Sequence, residues 1–168
     1  MNIVLTGFMG SGKSAVGRKL AEKLAMGFID TDAQIEKDAG SSITKIFKLK
    51  GETCFRDAES KVVSLISLLD NQVIATGGGI PLRSANLDEL ERNGTIVFLE
   101  VSPESALKRI GHDMSRPLLQ TKNPLETAQN ILEKRKKAYN RCSLKIATDN
   151  LSIDEIVEQI IKHINKKR

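Results

Sequence analysis

The chain has no tryptophan, one tyrosine and five phenylalanines, so it offers few aromatic faces on which nucleic-acid bases could stack. Its two cysteines, Cys54 and Cys142, stand far apart and give neither a disulfide framework nor a ligand pair at metal-binding spacing. A reducing cytoplasm suits such a chain. No uninterrupted apolar run exceeds a few residues, Ile96 to Leu99 being typical, against the roughly 18 that a membrane span requires. The opening Met1-Asn2-Ile3-Val4-Leu5 has no leading basic residues, sustained apolar stretch or small-residue cleavage site, so neither a secretory nor a transit segment is expected. Charge of one sign is in modest excess only: 26 Lys and Arg against 21 Asp and Glu leave a formal +5. The longest basic cluster, 134–137, falls inside a helical pattern rather than in a tail. Small anions are therefore the expected partners, with neither nucleic acid nor a membrane surface among them.

What is present fits one domain over residues 1–168, with 40% hydrophobic and 28% charged residues. Short apolar runs at 2–6, 27–30, 73–76, 95–101 and 144–148 alternate with helical patterns. That alternation predicts an α/β fold whose five strands form a parallel sheet. Residues 33–69 read as several helices punctuated by Gly40 and Gly51. Between Arg109 and Asn123 the periodicity fails, predicting a surface loop over about 110–123 of the length that functional lids have.

Gly7-Phe8-Met9-Gly10-Ser11-Gly12-Lys13-Ser14 matches G-x-x-x-x-G-K-[ST] directly after a strand and at the opening of a helix. Its glycines let successive backbone N–H groups face a phosphate chain, Lys13 adds a mobile positive charge, and the Ser14 hydroxyl can ligate Mg²⁺. No Asp is followed three residues later by Gly and no N-K-x-D occurs, so the elements of a GTPase switch are missing. The strand at 73–76 runs into Gly77-Gly78-Gly79 where a motor ATPase would place a carboxylate, and three glycines there let a ligand approach the backbone closely. Asp30 and Asp32 emerge beside the phosphate loop, one able to hold Mg²⁺ through its waters and the other to take a proton from an attacking hydroxyl. Either could instead cap the following helix. Arg56 and Glu59 share a helix face at i and i+3, as a carboxylate-binding fork with its brace or as a plain surface pair. Arg116 sits in the lid stretch, where it could meet a transferring phosphoryl group, and Arg135 lies in a charge run that by itself reads as a wet helix face.

Together the loop at 7–14, Asp30-Thr31-Asp32, Phe55-Arg56 with Glu59, the triple glycine, Arg116-Pro117-Leu118-Leu119 and Arg135 resemble shikimate kinases over nearly the whole chain. The resemblance implies the nucleoside-monophosphate-kinase-like, three-layer P-loop fold, with a helical substrate-binding segment at about 32–60 and a lid. It also implies ATP-dependent phosphorylation of the 3-hydroxyl of shikimate, a step towards chorismate and the aromatic amino acids. By the same resemblance Asp32, Arg56, Gly78, Gly79 and Arg135 hold shikimate, with Asp32 on the reacting hydroxyl, and Asp32, Lys13 and Arg116 are catalytic. Gly10, Ser11, Gly12, Lys13, Ser14, Ala15, Arg109 and Arg116 contact ATP, Arg109 lying against adenine. Ser14 ligates Mg²⁺, with Asp30 or Asp32 behind a water. A cytoplasmic monomer is expected. The rival readings are another small-metabolite or nucleotide kinase of this fold and a non-catalytic ATP-binding module.

Overall fold

The computed structural model describes residues 1–111, 117–119 and 121–166. Its centre is a five-stranded sheet in the order β2 (Gly27–Asp30), β3 (Gln72–Ala75), β1 (Asn2–Thr6), β4 (Gly94–Glu100), β5 (Leu144–Ala147). Every neighbouring pair is parallel, as the alternation of strands and helices requires. All five residues of β1 are buried, because a central parallel strand is covered on both faces.

The pleat of β1 sorts its side chains between two cores. Ile3 and Leu5 face Val16 and Leu20 of α1 (Lys13–Leu24) and Ile156, Val157 and Ile160 of α7 (Ile153–Asn165). Val4 packs on the opposite side with Val63 of α3 (Ile43–Ile66) and Leu87 and Leu90 of α4 (Ser84–Arg92). A third cluster joins Phe8 and Phe98 to Ala106 of α5 (Pro103–Ile110) and to Ala128 and Tyr139 of α6 (Pro124–Tyr139). These layers confirm the three-layer α/β expectation. No helix among the described residues is long and apolar enough to cross a membrane.

The helical stretch after β2 begins earlier than its periodicity indicated. Asp30 caps α2 (Thr31–Ala39), so the helix opens at Thr31, and Gly40 ends it in the left-handed conformation at φ 58°. Gly51, as its place in the sequence indicated, interrupts the helical path: at φ 80° and ψ 172° it separates two helical segments of α3, the second beginning at Glu52.

The strand order decides where chemistry is possible. β2, β3 and β1 lie side by side, so the segments leaving their carboxyl ends converge on one crevice. Those segments are Asp30-Thr31-Asp32, Gly77-Gly78-Gly79 and the loop at 7–14, distant in sequence and adjacent only through the sheet.

Candidate active site

The crevice opens into a cavity of about 530 Å³. Gly10, Gly12, Lys13, Ser14 and Ala15 of the phosphate loop line it together with Asp30, Asp32, Arg56, Glu59, Gly78, Gly79 and Arg135. These groups lie far apart in sequence, yet one cavity gathers them all.

The phosphate loop owes its path to glycines in two places. Gly10 and Gly12 adopt φ of 76° and 91°, conformations that side chains disfavour. A methyl at Gly10 would also come within 2.8 Å of the Ala106 carbonyl oxygen, so α5 packs directly on the loop. Lys13 folds back over the loop, its Nζ donating to the carbonyls of Gly7 at 2.9 Å and Phe8 at 2.8 Å. Ser11 is fully buried and its amide donates to the Phe8 carbonyl.

Ser14 Oγ donates to Asp30 Oδ2 at 2.6 Å, joining the loop to the end of β2. The other Asp30 oxygen accepts from the amides of Asp32 at 3.1 Å and Ala33 at 3.4 Å. Asp30 therefore both caps α2 and faces Ser14, and the Asp32 side chain is left to line the cavity. Among the described residues no three His, Cys, Asp or Glu cluster as a cage for a metal ion. The Ser14 hydroxyl and Asp30 carboxylate fit the other mode, in which phosphate oxygens and waters complete the shell of Mg²⁺.

The triple glycine is spaced against the side chains around it. A methyl at Gly77 would overlap the Asp32 carboxylate and stand 3.1 Å from Glu59 Oε1. At Gly78 it would meet Arg135 Nη1 at 3.3 Å, and at Gly79 it would overlap the Arg56 guanidinium. Each glycine thus yields its side-chain volume to a different charged group.

Both arginines are buried, Arg56 at 8% and Arg135 at 6% exposure. Arg56 Nη1 donates to Glu59 Oε2 at 2.6 Å, while Nε and Nη2 donate to Glu52 Oε1 at 3.2 and 2.9 Å. Arg135 Nη1 donates to the Gly78 carbonyl at 3.0 Å, beside the Tyr139 hydroxyl, which donates to the same oxygen at 2.7 Å. A buried fork and a second buried cation on one wall are the equipment for binding a carboxylate.

The comparisons with known proteins agree with this chemistry. The family model for shikimate kinase matches residues 9–165. The shikimate kinase of Caldicellulosiruptor bescii is 45% identical over 167 residues, covering 99% of this chain and 97% of that protein.

The chain belongs to the shikimate kinase family.

Among solved shikimate kinases, the Acinetobacter baumannii protein in complex with shikimate is 35% identical, with a TM-score of 0.96 over 99% of this chain and 94% of that one. The shikimate kinase of Aquifex aeolicus is 36% identical, with a TM-score of 0.87 over 99% and 98%.

Within this shikimate kinase fold, burial decides two alternatives that the sequence left open. Arg135 is not on a wet face. Glu133 and Lys136 around it are exposed, but Ala128, Arg135 and Tyr139 form the buried stripe of α6. The spacing of Arg135 to Tyr139, i to i+4, placed it on that stripe in the sequence too. The Arg56–Glu59 pair is likewise not a surface pair, since Glu59 is only 1% exposed. Arg109 is not a cavity wall; its Nη1 donates to the Gly10 carbonyl at 3.3 Å and to Thr148 Oγ1 at 3.0 Å, and its Nη2 to the Thr148 carbonyl at 2.7 Å. It ties the phosphate loop to the end of β5. Arg116 lies outside the described residues, as do all the residues between Gly111 and Pro117.

Sequence reasoning did not find Glu52, Thr31 or Tyr139. Thr31 Oγ1 accepts from the Gly77 amide at 2.7 Å, which pins the first glycine to α2. Glu52 had a signal, its i,i+4 spacing to Arg56 on the helical segment that follows Gly51.

Burial raises the pKa of Glu59 above the ordinary glutamate range; Arg56 and Arg135 act against that shift and nearby Asp32 adds to it. For Arg56 burial acts downward, and the carboxylates of Glu59 and Glu52 more than offset it, so its pKa is raised. A carboxyl whose folded pKa lies above its unfolded one contributes stability that is present below the unfolded value and is lost as pH rises through the folded value. Glu59→Gln removes this contribution. Urea titrations of both proteins between pH 4 and 7 are expected to show the variant losing less stability than wild type as pH rises; parallel curves would count against a raised Glu59 pKa.

Proposed function

We propose that the chain transfers the γ-phosphoryl group of ATP to the 3-hydroxyl of shikimate, giving shikimate 3-phosphate and ADP. The observation that carries this reading is the convergence of Arg56, Arg135 and Asp32 on one wall, seated against the three glycines and facing the phosphate loop. A ring acid with several hydroxyls needs fixed cations for its carboxylate and an acceptor for its reacting proton, and this wall supplies both. The reaction is a step towards chorismate and the aromatic amino acids.

In this reading Gly10, Gly12 and Ala15 present backbone N–H groups to the phosphates, while Ser11 gives up the Phe8 carbonyl to do so and Lys13 trades its loop carbonyls for the β- and γ-phosphate oxygens. Ser14, with Asp30 or Asp32, would hold Mg²⁺, which would supply neutralisation of the phosphate charge. Arg56 and Arg135 hold the shikimate carboxylate, and Gly78 and Gly79 let the ring lie close to the backbone. Asp32 accepts the 3-hydroxyl proton as the oxygen bonds to phosphorus. The bond from phosphorus to the bridging oxygen breaks, its electrons leave with ADP, and the proton passes from Asp32 to solvent. Arg116, brought in by a lid over 110–123, balances charge on the transferring group, and Arg109 borders adenine. Catalysis by such a site is mostly positioning and charge stabilisation. The single domain acts as a cytoplasmic monomer and binds neither nucleic acid nor membrane.

A coupled ADP-release assay with Mg-ATP and separate additions of shikimate, gluconate and nucleoside monophosphates tests this, against an ATP-only control. Turnover that depends on shikimate alone is expected. Turnover with another acceptor, or ADP release no faster than the control, would overturn the assignment.

A further inference from the structure

Arg56 carries five N–H donors, and two carboxylates already engage three of its N–H groups. The two are not alike. Glu59 is buried, bonds Nη1 at 2.6 Å and lines the cavity, whereas the Glu52 side chain is 56% exposed and is not a cavity wall. Orientation of the guanidinium is already fixed without Glu52, by the short bond to Glu59 and by Gly79, whose missing side chain leaves room for that group alone. Glu52 adds no needed constraint, yet its Oε1 sits on the Nε–Nη2 edge, the paired donors that a carboxylate ligand uses best.

We infer that Glu52 is a built-in competitor of the substrate carboxylate: it occupies the paired edge of Arg56 before substrate arrives and sets the threshold an incoming anion must pass. This rests on the reading of Arg56 as the shikimate-carboxylate site. An acid entering the cavity either displaces Glu52 from that edge or shares one guanidinium with two carboxylates, and in both cases the charge of Glu52 opposes it. A substrate that also engages Arg135 overcomes the opposition. A small anion that gains only Arg56 does not. Gly51 makes the arrangement possible, because its φ of 80° breaks α3 and sets Glu52 in the first turn of the resumed helix, one turn before Arg56. Glu52 is thus a specificity-determining residue that touches no reacting atom.

The test is Glu52→Gln, which keeps the side-chain length and removes the charge. Steady-state kinetics are expected to show KM for shikimate lowered about two- to fivefold, the size of an exposed ion pair, with kcat and KM for ATP unchanged. Acetate, a carboxylate without ring hydroxyls, is expected to inhibit the variant at lower concentration than it inhibits wild type. A KM for shikimate that is unchanged or raised, or equal inhibition of both proteins by acetate, overturns the inference while leaving the kinase assignment intact. Wild-type protein that does not phosphorylate shikimate overturns the assignment itself, and the inference with it. A raised KM would make Glu52 an aid to Arg56 orientation, the role that Glu59 has here; Glu59→Gln serves as the contrast and is expected to raise KM.

Discussion

Asp32→Asn is expected to lower kcat by about 10²- to 10⁴-fold, the usual contribution of a positioned general base, while the affinity for ATP is retained. The asparagine amide matches the carboxylate in size but cannot take the hydroxyl proton. The substitution is clean because of a division of labour that the structure makes plain: Asp30, not Asp32, accepts from the amides that open α2 and from Ser14. Loss of the Asp32 charge therefore removes neither the helix cap nor the Ser14–Asp30 hydrogen bond. Single-turnover and steady-state rates, together with a nucleotide titration, separate the two expectations. A kcat close to wild type would remove Asp32 from the chemistry, and a loss of ATP affinity equal to the loss of rate would make it part of the nucleotide site instead.

Gly79→Ala is expected to raise KM for shikimate about 10- to 100-fold, the loss of a charge-assisted hydrogen-bonded contact. The backbone at Gly79, φ −96° and ψ −15°, accepts alanine without strain, so the effect does not come from the chain path. It comes from the guanidinium of Arg56, which occupies the volume the new methyl would need. Arg56 cannot step aside freely, since Glu59 holds Nη1 in a buried pocket. Arg56→Lys is expected to reach a similar KM by the opposite route, because an ammonium cannot offer two donors in one plane. If both act through the same fork, the double variant loses little beyond either single one. A fully additive double variant, or Gly79→Ala with an unchanged KM, would show that Gly79 and Arg56 do not share this task.

These outcomes separate what is local from what is not. The strands, the phosphate loop between β1 and α1, and the Asp30-Thr31-Asp32 corner were legible because hydrophobic period, turn glycines and a spaced motif are local properties. The spacing of Arg56 to Glu59 was legible as a possible pair, since i and i+3 meet on any helix. Its strength was not, because the burial that turns a surface pair into a braced fork comes with the glycines after β3, packed against both side chains. Arg135 is the sharper case. Its one local mark of burial is the i,i+4 spacing to Tyr139, masked by the basic run around it, and the Gly78 carbonyl it bonds is 57 residues away. Likewise Thr31 reaches the Gly77 amide across 46 residues.

By itself the sequence determined the class of fold, the phosphate-binding loop and, through resemblance, the family. Only the tertiary structure decided which aspartate caps and which stays in the cavity, which arginines are buried, and that a second glutamate sits on the donor edge of Arg56. The reason is physical: a pattern along the chain sets period and turn, whereas burial and charge pairing depend on which distant strands become neighbours. In this fold that is the β2-β3-β1 order, which gathers three separate segments at one edge of the sheet.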